Sequence, residues 1–523
     1  MASRSEAITT TASGSRLGRT GREALSGLLA AGAALATGEL LAGVLPGAPS
    51  LVASVAQLVI DLQPPGAKDA AVGLFGTNDK LALEVTIVLV SLALGAAVGL
   101  IASSRPAVAV AVFAIAGTVG FAAGLRDPLS QPILAAGTAA LSAIVGVQVL
   151  GWLLGRARAA SAPASTDPAR RSFLIGAGTV GAATLMAGLG GRWLVERGRQ
   201  APAGASASIP QPAATVAPLA QVADLAPTVP GLTPIVMPND RFYRIDTSIL
   251  TPIVDPADWH LRVHGMVDRV VTLDWAQLLA LPLFEQYVTI ACVSNEVGGR
   301  LVGNAKWTGV RLRQVLEMAG VKPGASQLVG RSVDGWTAGM PTAWVMDKAR
   351  EPMIAVRMNG DPLPPIHGFP ARLIVPGLYG YVSATKWLTE LELTTLDAFD
   401  GYWVPLGWAK EAPILTQSRI DTPGDGGTVP AGRVPVAGIA WAPDRGIGKV
   451  EVGIDGHWAE ARLSAPISDA TWVQWVYDWQ ATPGRHTVAV RATDGTGTVQ
   501  TDEESRPAPD GARGWHTIGV NVG

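Results

Sequence analysis

The residue with the most chemistry in this 523-residue chain is its only cysteine, Cys292. It ends an apolar run, Val288-Thr289-Ile290-Ala291, and opens a polar, glycine-bearing segment, Val293-Ser294-Asn295-Glu296-Val297-Gly298-Gly299. A thiol placed there has three readings. It can pack as a small buried hydrophobe, the common fate of an isolated cysteine. It can act as a nucleophile, although no histidine stands beside it in sequence to take its proton. It can be one soft thiolate ligand to a metal whose other ligands come from a cofactor. A single cysteine also excludes an intrachain disulfide, a CxxCH haem attachment, an iron–sulfur cluster and a cysteine-rich zinc site.

Six further segments accompany it in a fixed order: Asn239-Asp240-Arg241-Phe242-Tyr243-Arg244-Ile245, Asn304-Ala305-Lys306-Trp307-Thr308-Gly309, Asp334-Gly335-Trp336, Met358-Asn359-Gly360-Asp361-Pro362-Leu363-Pro364, His367-Gly368-Phe369-Pro370-Ala371-Arg372, and the stretch 375–387. Together with Cys292 and Asn295 this ordered set resembles the sulfite oxidase family of molybdenum enzymes, over about residues 238–523. The resemblance implies a Mo-molybdopterin cofactor, with molybdenum held by two dithiolene sulfurs, oxo groups and one protein cysteine, here Cys292. It implies a pocket formed by Cys292, Asn295, Trp307 and Trp336. It also implies cofactor contacts from Asp240, Tyr243, Arg244, His367, Arg372, Ser383, Thr385 and Lys386. A phosphate-bearing pterin suits such a set, because arginine offers a planar fork and lysine a point charge.

The sequence also departs from that pattern. Sulfite-oxidising members carry arginine just after the Cys-x-x-Asn, whereas Glu296 and Val297 follow it here, and Trp336 stands about where those members have tyrosine. A carboxylate in place of a guanidinium disfavours a sulfite dianion. The expected activity is therefore oxygen-atom transfer on a small sulfur- or nitrogen-oxo substrate. Sulfite oxidation is the alternative within enzymes, and a cofactor-free surface binding protein is the alternative from another class.

These residues need elements to hold them, and the chain divides sharply by composition. All six tyrosines and all six histidines lie beyond residue 235, while the N-terminal part is almost wholly Ala, Gly, Leu and Val. Apolar stretches at 24–45, 81–101, 106–125, 132–154 and 172–190 approach the roughly 20 residues needed to span hydrocarbon; 51–60 is too short. With the N-terminus inside, Arg16, Arg19, Arg22, Arg105, Arg156, Arg158, Arg170 and Arg171 share one side, and residues after about 192 lie outside; Lys68, Lys80 and Arg126 oppose this weakly. Trp152 and Trp193 fall where interfacial anchors belong. The run Arg170-Arg171-Ser172-Phe173-Leu174 reads either as a twin-arginine export signal or as two arginines pinning a helix.

Glu39 is the one carboxylate well inside an apolar stretch. With no histidine in this half, no haem is expected, and electrons must pass through a separate partner, a cytochrome or a quinone system. The net charge of -2 gives no reason to expect nucleic acid.

The expected organisation is a membrane region over 1–192 with about five transmembrane helices in contact with lipid, and an Ala/Pro-rich tether over 193–232. An α+β molybdopterin-binding domain follows over 233–396, with strands at 258–268 (a pair), 286–292, 373–376 and 387–393 and helices at 273–281 and 310–319. Short alternating runs at 434–441, 449–454, 471–479 and 486–492 then indicate an all-β immunoglobulin-like sandwich over 397–523. In the resembling family that last domain is a dimerisation domain, which implies a homodimer.

Overall fold

The computed structural model describes residues 18–64, 74–75, 78–161, 167–198, 209–220 and 223–523. It divides into two units, Met1–Gly198 and Arg199–Gly523. Arg16, Lys68 and residues 199–208 and 221–222 of the expected tether lie outside the described residues.

The first unit is helical. Five helices, Arg19–Val44, Asp79–Ala102, Pro106–Gly124, Pro132–Ser161 and Pro168–Arg197, are long and apolar enough to cross a membrane by length and composition. Their outward residues include Leu89, Leu94, Ile115, Ile133, Leu185 and Met186, each more than half exposed. Water would penalise such a surface, so the bundle is built for an apolar surrounding. Inside, small residues let backbones touch: a Cβ on Gly27 would lie 2.0 Å from the Gly95 carbonyl oxygen and 2.6 Å from the Gly99 nitrogen.

The two ends of the bundle differ. At one, Arg22 donates to the Ser161 hydroxyl (2.8 Å) and Arg158 to the Ser103 carbonyl (3.0 Å). At the other, Arg192 forms a fork on Glu84 (2.9 and 3.0 Å), and Ser50 donates to Glu39 (2.6 Å). The short helix Leu51–Asp61 is capped by Ser50, whose hydroxyl accepts from the Ala53 N–H (3.2 Å). The double-arginine segment forms the first turns of the last of these helices, and Phe173 is buried among Leu153, Ala157 and Ala160.

The second unit is rich in β-structure. One sheet has the order β2 (Val271–Asp274), β1 (His260–Gly265), β10 (Leu388–Thr394), β5 (Gln327–Ser332), β6 (Thr337–Pro341), with β1 and β10 parallel. Another runs β3 (Leu283–Ala291), β4 (Val302–Arg311), β7 (Met353–Met358), β8 (Asp361–Pro362), and β9 (Arg372–Ile374) also pairs with β7. The apolar run before Cys292 is therefore β3, with the cysteine just beyond its end.

Two expectations change in detail. The stretch 258–268 holds one strand, and its antiparallel partner β2 comes after it; at Gly265, φ is +89° and a Cβ would meet the Leu393 carbonyl at 2.2 Å, so the chain turns there. The helix expected from 310 begins at Leu312, because Val310 belongs to β4.

Two more sheets follow. One has the order β11 (Gln417–Thr422), β13 (Gly432–Trp441), β17 (Val473–Ala481), β16 (Arg462–Leu463). The other has the order β12 (Thr428–Val429), β19 (His516–Val522), β18 (Gly484–Asp494), β14 (Ile447–Ile454), β15 (His457–Glu460). They share one core, with Val436, Ala440 and Trp475 from the first sheet meeting Val450, Val490 and Val520 from the second.

Residues 209–220 and 223–232 of the Ala/Pro-rich stretch lie against the sheets of this unit. Ala213 donates to the Leu283 carbonyl (2.9 Å), and Leu225, Val229 and Leu232 pack on Ala437 and Val476.

Candidate functional site

Cys292 continues the β3–β4 ladder by one rung: its N–H donates to the Leu301 carbonyl (2.8 Å). The loop that follows is clasped by Asn295, whose N–H donates to the Cys292 carbonyl (3.1 Å) while its side-chain oxygen accepts from the Leu301 N–H (2.7 Å). A Cβ on Gly299 would lie 2.6 Å from that same oxygen, so the clasp needs glycine there. Asn295 thus shapes the loop that presents the thiol, and its side-chain oxygen is turned toward that loop.

Three phenols feel the charge of Cys292: those of Tyr243, Tyr379 and Tyr381. Gly380 opens the short helix Gly380–Ser383, and a Cβ on it would stand 3.6 Å from the Ala291 carbonyl oxygen and 4.0 Å from the Tyr243 hydroxyl. Tyr379 and Tyr381 flank that glycine. Burial pushes the Tyr243, Tyr379 and Tyr381 hydroxyls well above the usual phenol range, and each also feels Cys292. They remain neutral O–H groups at working pH. Tyr381 donates to the Ala409 carbonyl (2.6 Å), and the Tyr379 oxygen accepts from the Leu415 N–H (3.5 Å).

Beside Tyr243 lies Arg372, on β9, with 3% of its surface exposed. One of its amino groups donates to the His367 carbonyl (3.0 Å), and its Nε has no partner among the described residues. Burial lowers its pKa to about 10. Its guanidinium carbon sits 5.1 Å from the Trp307 ring centroid. Trp307 is fully buried and gives its indole N–H to the Val288 carbonyl (3.2 Å), so it is a platform beneath Arg372 rather than a donor into the pocket.

A second cationic group adjoins this one. Lys386 is buried and donates to Asp246 (2.9 Å) and to the Ile366 carbonyl (2.9 Å); burial brings its pKa down to about 8. Arg244 shares the same Asp246 oxygen (3.0 Å) and reaches the Thr251 hydroxyl (3.1 Å). His367 bonds through Nε2 to the Asn239 carbonyl (2.9 Å). Burial first, then the field of Lys386, Arg372 and Arg244, push its pKa down to about 4 against that hydrogen bond. A neutral ring bonded to a carbonyl through Nε2 carries its proton there, leaving Nδ1 as an acceptor.

The remaining predicted residues take varied places. The Thr385 hydroxyl is buried without a partner among the described residues, while the Ser383 hydroxyl is used locally on the Tyr379 carbonyl (3.0 Å). Asp240 is exposed at the surface. Trp336 lies at the tip of the β5–β6 hairpin, where its N–H donates to Asp334 (3.1 Å); burial raises the Asp334 pKa, and Asp246 and Lys386 act on it. Trp336 is thereby tied to the Lys386 side of the site.

Sequence reasoning missed Asp246, which joins Arg244 to Lys386, and Asn239, which holds His367. It also missed Tyr379 and Tyr381, although both lie within the quoted 375–387 stretch. The signal available for Asp246 was its place two residues after Arg244.

A buried guanidinium with no carboxylate partner among the described residues, a buried lysine and a hydroxyl equally without a partner there make a cradle for an anionic, hydrogen-bonding ligand. Residues 248–403 match the oxidoreductase molybdopterin binding domain. Over 154 residues the chain is 35% identical to the uncharacterized oxidoreductase YuiH of Bacillus subtilis, covering 29% of this chain and 74% of that one. The chain belongs to the sulfite oxidase family.

Within this family it is also similar to the mitochondrial sulfite oxidase of Mus musculus, 29% identical over 342 residues, 55% of this chain and 62% of that one. The alignment to the Rattus norvegicus enzyme covers 49% of its length, so the chain spans about half to three fifths of these relatives. Among solved structures, the sulfane dehydrogenase SoxCD of Paracoccus pantotrophus overlays with a TM-score of 0.49 at 23% identity, over 55% of this chain and 82% of that one. The molybdopterin-binding domain implies Mo-molybdopterin as cofactor. The buried donors of Arg372, Lys386 and Thr385 fit a cofactor of that kind.

Proposed function

We propose that this chain is a membrane-anchored molybdenum oxidoreductase. It moves one oxygen atom to or from a small sulfur- or nitrogen-oxo substrate on the extracytoplasmic side of the cell membrane. The observation that carries the reading is Arg372, a buried guanidinium with no carboxylate partner among the described residues, which with the Cys292 thiol acts on Tyr243. In the reducing direction a sulfoxide takes up two electrons and two protons, its sulfur–oxygen bond breaks, and a thioether and water are formed; oxidation runs the same balance backwards. Bound molybdopterin supplies the metal and the two-electron chemistry.

The chain's own residues bind and orient. Cys292 gives the protein thiolate, and Asn295 holds its loop in place. Arg372, Lys386, Arg244, Thr385 and the Nδ1 of His367 hold the pterin and its phosphate; Ser383 steadies the turn that carries them. Tyr243, Tyr379 and Tyr381, whose phenols feel the charge of Cys292, keep their protons on neutral oxygens. Asp240 contributes from the rim, and Trp336 bounds the Lys386 side.

The extracytoplasmic placement is supported by the arginines gathered at the end of the bundle opposite Glu84 and Arg192. The two C-terminal sheets are read as an immunoglobulin-like domain suited to homodimer formation. Electrons pass to a separate cytochrome or quinone partner. Sulfite oxidation, suggested by the names of the mammalian relatives, is the second reading. A redox-dye assay of the purified holoenzyme against sulfite, methionine sulfoxide and other S- and N-oxides decides between them. Turnover of the neutral oxides supports the first reading, turnover of sulfite alone supports the second, and no molybdenum in the purified chain removes both.

A further inference from the structure

We propose that Asp510 and Arg513 fix the charge of the substrate at this site, so that it takes a neutral S- or N-oxide and turns away oxyanions. The inference rests on the oxygen-transfer reading above and deepens it.

The loop that precedes β19 is tied to Tyr379 and Tyr381 at two points. The Pro509 carbonyl accepts from the Ala409 N–H (3.0 Å), and the Ala409 carbonyl accepts the Tyr381 hydroxyl proton (2.6 Å). On the other side, Gly511 has φ +118°, and a Cβ there would lie 2.6 Å from the Tyr379 hydroxyl oxygen. Asp510 is held between these two points. Tyr379 and Tyr381 in turn flank Gly380, which abuts the carbonyl of Ala291, the residue before the thiol. Both phenols feel the Asp510 charge as well as Cys292.

Arg513 and Arg506 are the two arginines of this loop, and the two amino groups of Arg513 are both engaged by Asp510. They donate to the two Asp510 oxygens (3.0 and 2.7 Å). The turn is closed by the Gly511 N–H on the Pro507 carbonyl (2.7 Å) and the Arg513 N–H on the Ser505 hydroxyl (3.1 Å). Each partner keeps the other charged, Arg513 lowering the Asp510 pKa and Asp510 raising that of Arg513.

A guanidinium engaged on both prongs offers an incoming anion no net positive charge. A dianion would have to displace Asp510 while being repelled by it. A neutral S=O or N–O oxygen has no such conflict, because it needs only hydrogen-bond donors. The Tyr379 oxygen accepts from the backbone, which leaves its own proton to give.

The test uses the full chain as holoenzyme, with molybdenum content checked for each variant. For wild type, D510N, R513Q and the double variant, it measures the sulfite to methionine-sulfoxide ratio of kcat/KM. Binding of radiolabelled sulfate, a non-reacting dianion, is measured separately at equilibrium. Removing the Asp510 charge while keeping its shape should free the Arg513 fork and raise both sulfate affinity and the sulfite ratio by about tenfold or more. R513Q should lower both below wild type, and the double variant should lose the gain. If D510N does not fold, R513Q decides alone, since Arg513 is then the only group altered.

Unchanged sulfate affinity in D510N, a gain retained without Arg513, or no fall in R513Q overturns the proposal. Failure of the oxygen-transfer reading is distinct: a molybdenum-loaded wild type would turn over neither substrate class, while sulfate binding would still report on Asp510.

Discussion

The Arg372 guanidinium lies over the Trp307 ring at 5.1 Å, and both side chains are buried. The indole is fixed from below by its bond to the Val288 carbonyl on β3, so the platform cannot tilt away. A cation–π contact of this kind is worth about 0.5–2 kcal/mol, far less than the cost of burying an unpaired charge. The fold therefore holds Arg372 at a cost to its own stability, a cost that an anionic ligand offsets.

Arg372→Met tests this trade. Replacing a buried charge that has no carboxylate partner among the described residues with an apolar side chain of similar length should stabilise the cofactor-free protein by about 1–4 kcal/mol. The same change should lower bound molybdenum per chain at least tenfold. Chemical unfolding of the apo form and metal analysis of the purified form read the two effects. A variant that is less stable and still fully loaded would remove Arg372 from the cofactor site.

His367 makes stability depend on pH in a defined window. Its folded pKa, about 4, lies below the ordinary 6.5, so between those values the unfolded chain binds more protons. Its contribution is complete above pH 6.5 and is lost as pH falls through 4. For a shift of this size the loss is up to about 3 kcal/mol. His367→Asn should flatten the fall in unfolding free energy of the cofactor-free protein between pH 6.5 and 4. An unchanged slope would mean that the ring is not held neutral by its surroundings.

The helical unit offers a contrast between two glycines. Gly27 faces the backbone of the Asp79–Ala102 helix, with no room for a Cβ, whereas a Cβ on Gly137 meets nothing within 4 Å. Gly27→Leu should force those helices apart and lower the thermal stability of the detergent-solubilised protein by many degrees. Gly137→Leu should leave it nearly unchanged. Equal effects would show that the helices do not pack through Gly27.

What the sequence made legible followed from local pattern. Long runs without charge marked the five long apolar helices, alternating Val and Trp marked β13, β14, β17 and β18, and the change from apolar to polar at Cys292 marked the end of β3. Other parts had no local signature. Strand β4 is buried along both faces, so its residues, Trp307 among them, do not alternate. Asp246 meets Lys386 across 140 positions of chain, and Gly511 meets Tyr379 from a different pair of sheets. Leu225, Val229 and Leu232 were hidden by the Ala and Pro around them, although they are the residues that dock the stretch onto Ala437 and Val476.

The thiol of residue 292 is proposed as the protein's ligand to molybdenum. X-ray absorption at the molybdenum edge, on wild type and Cys292→Ser loaded to equal metal content, tests it most directly. The expected result is one fewer sulfur neighbour around molybdenum in the variant, together with loss of turnover. An identical sulfur shell and unaltered turnover in the serine variant would contradict it.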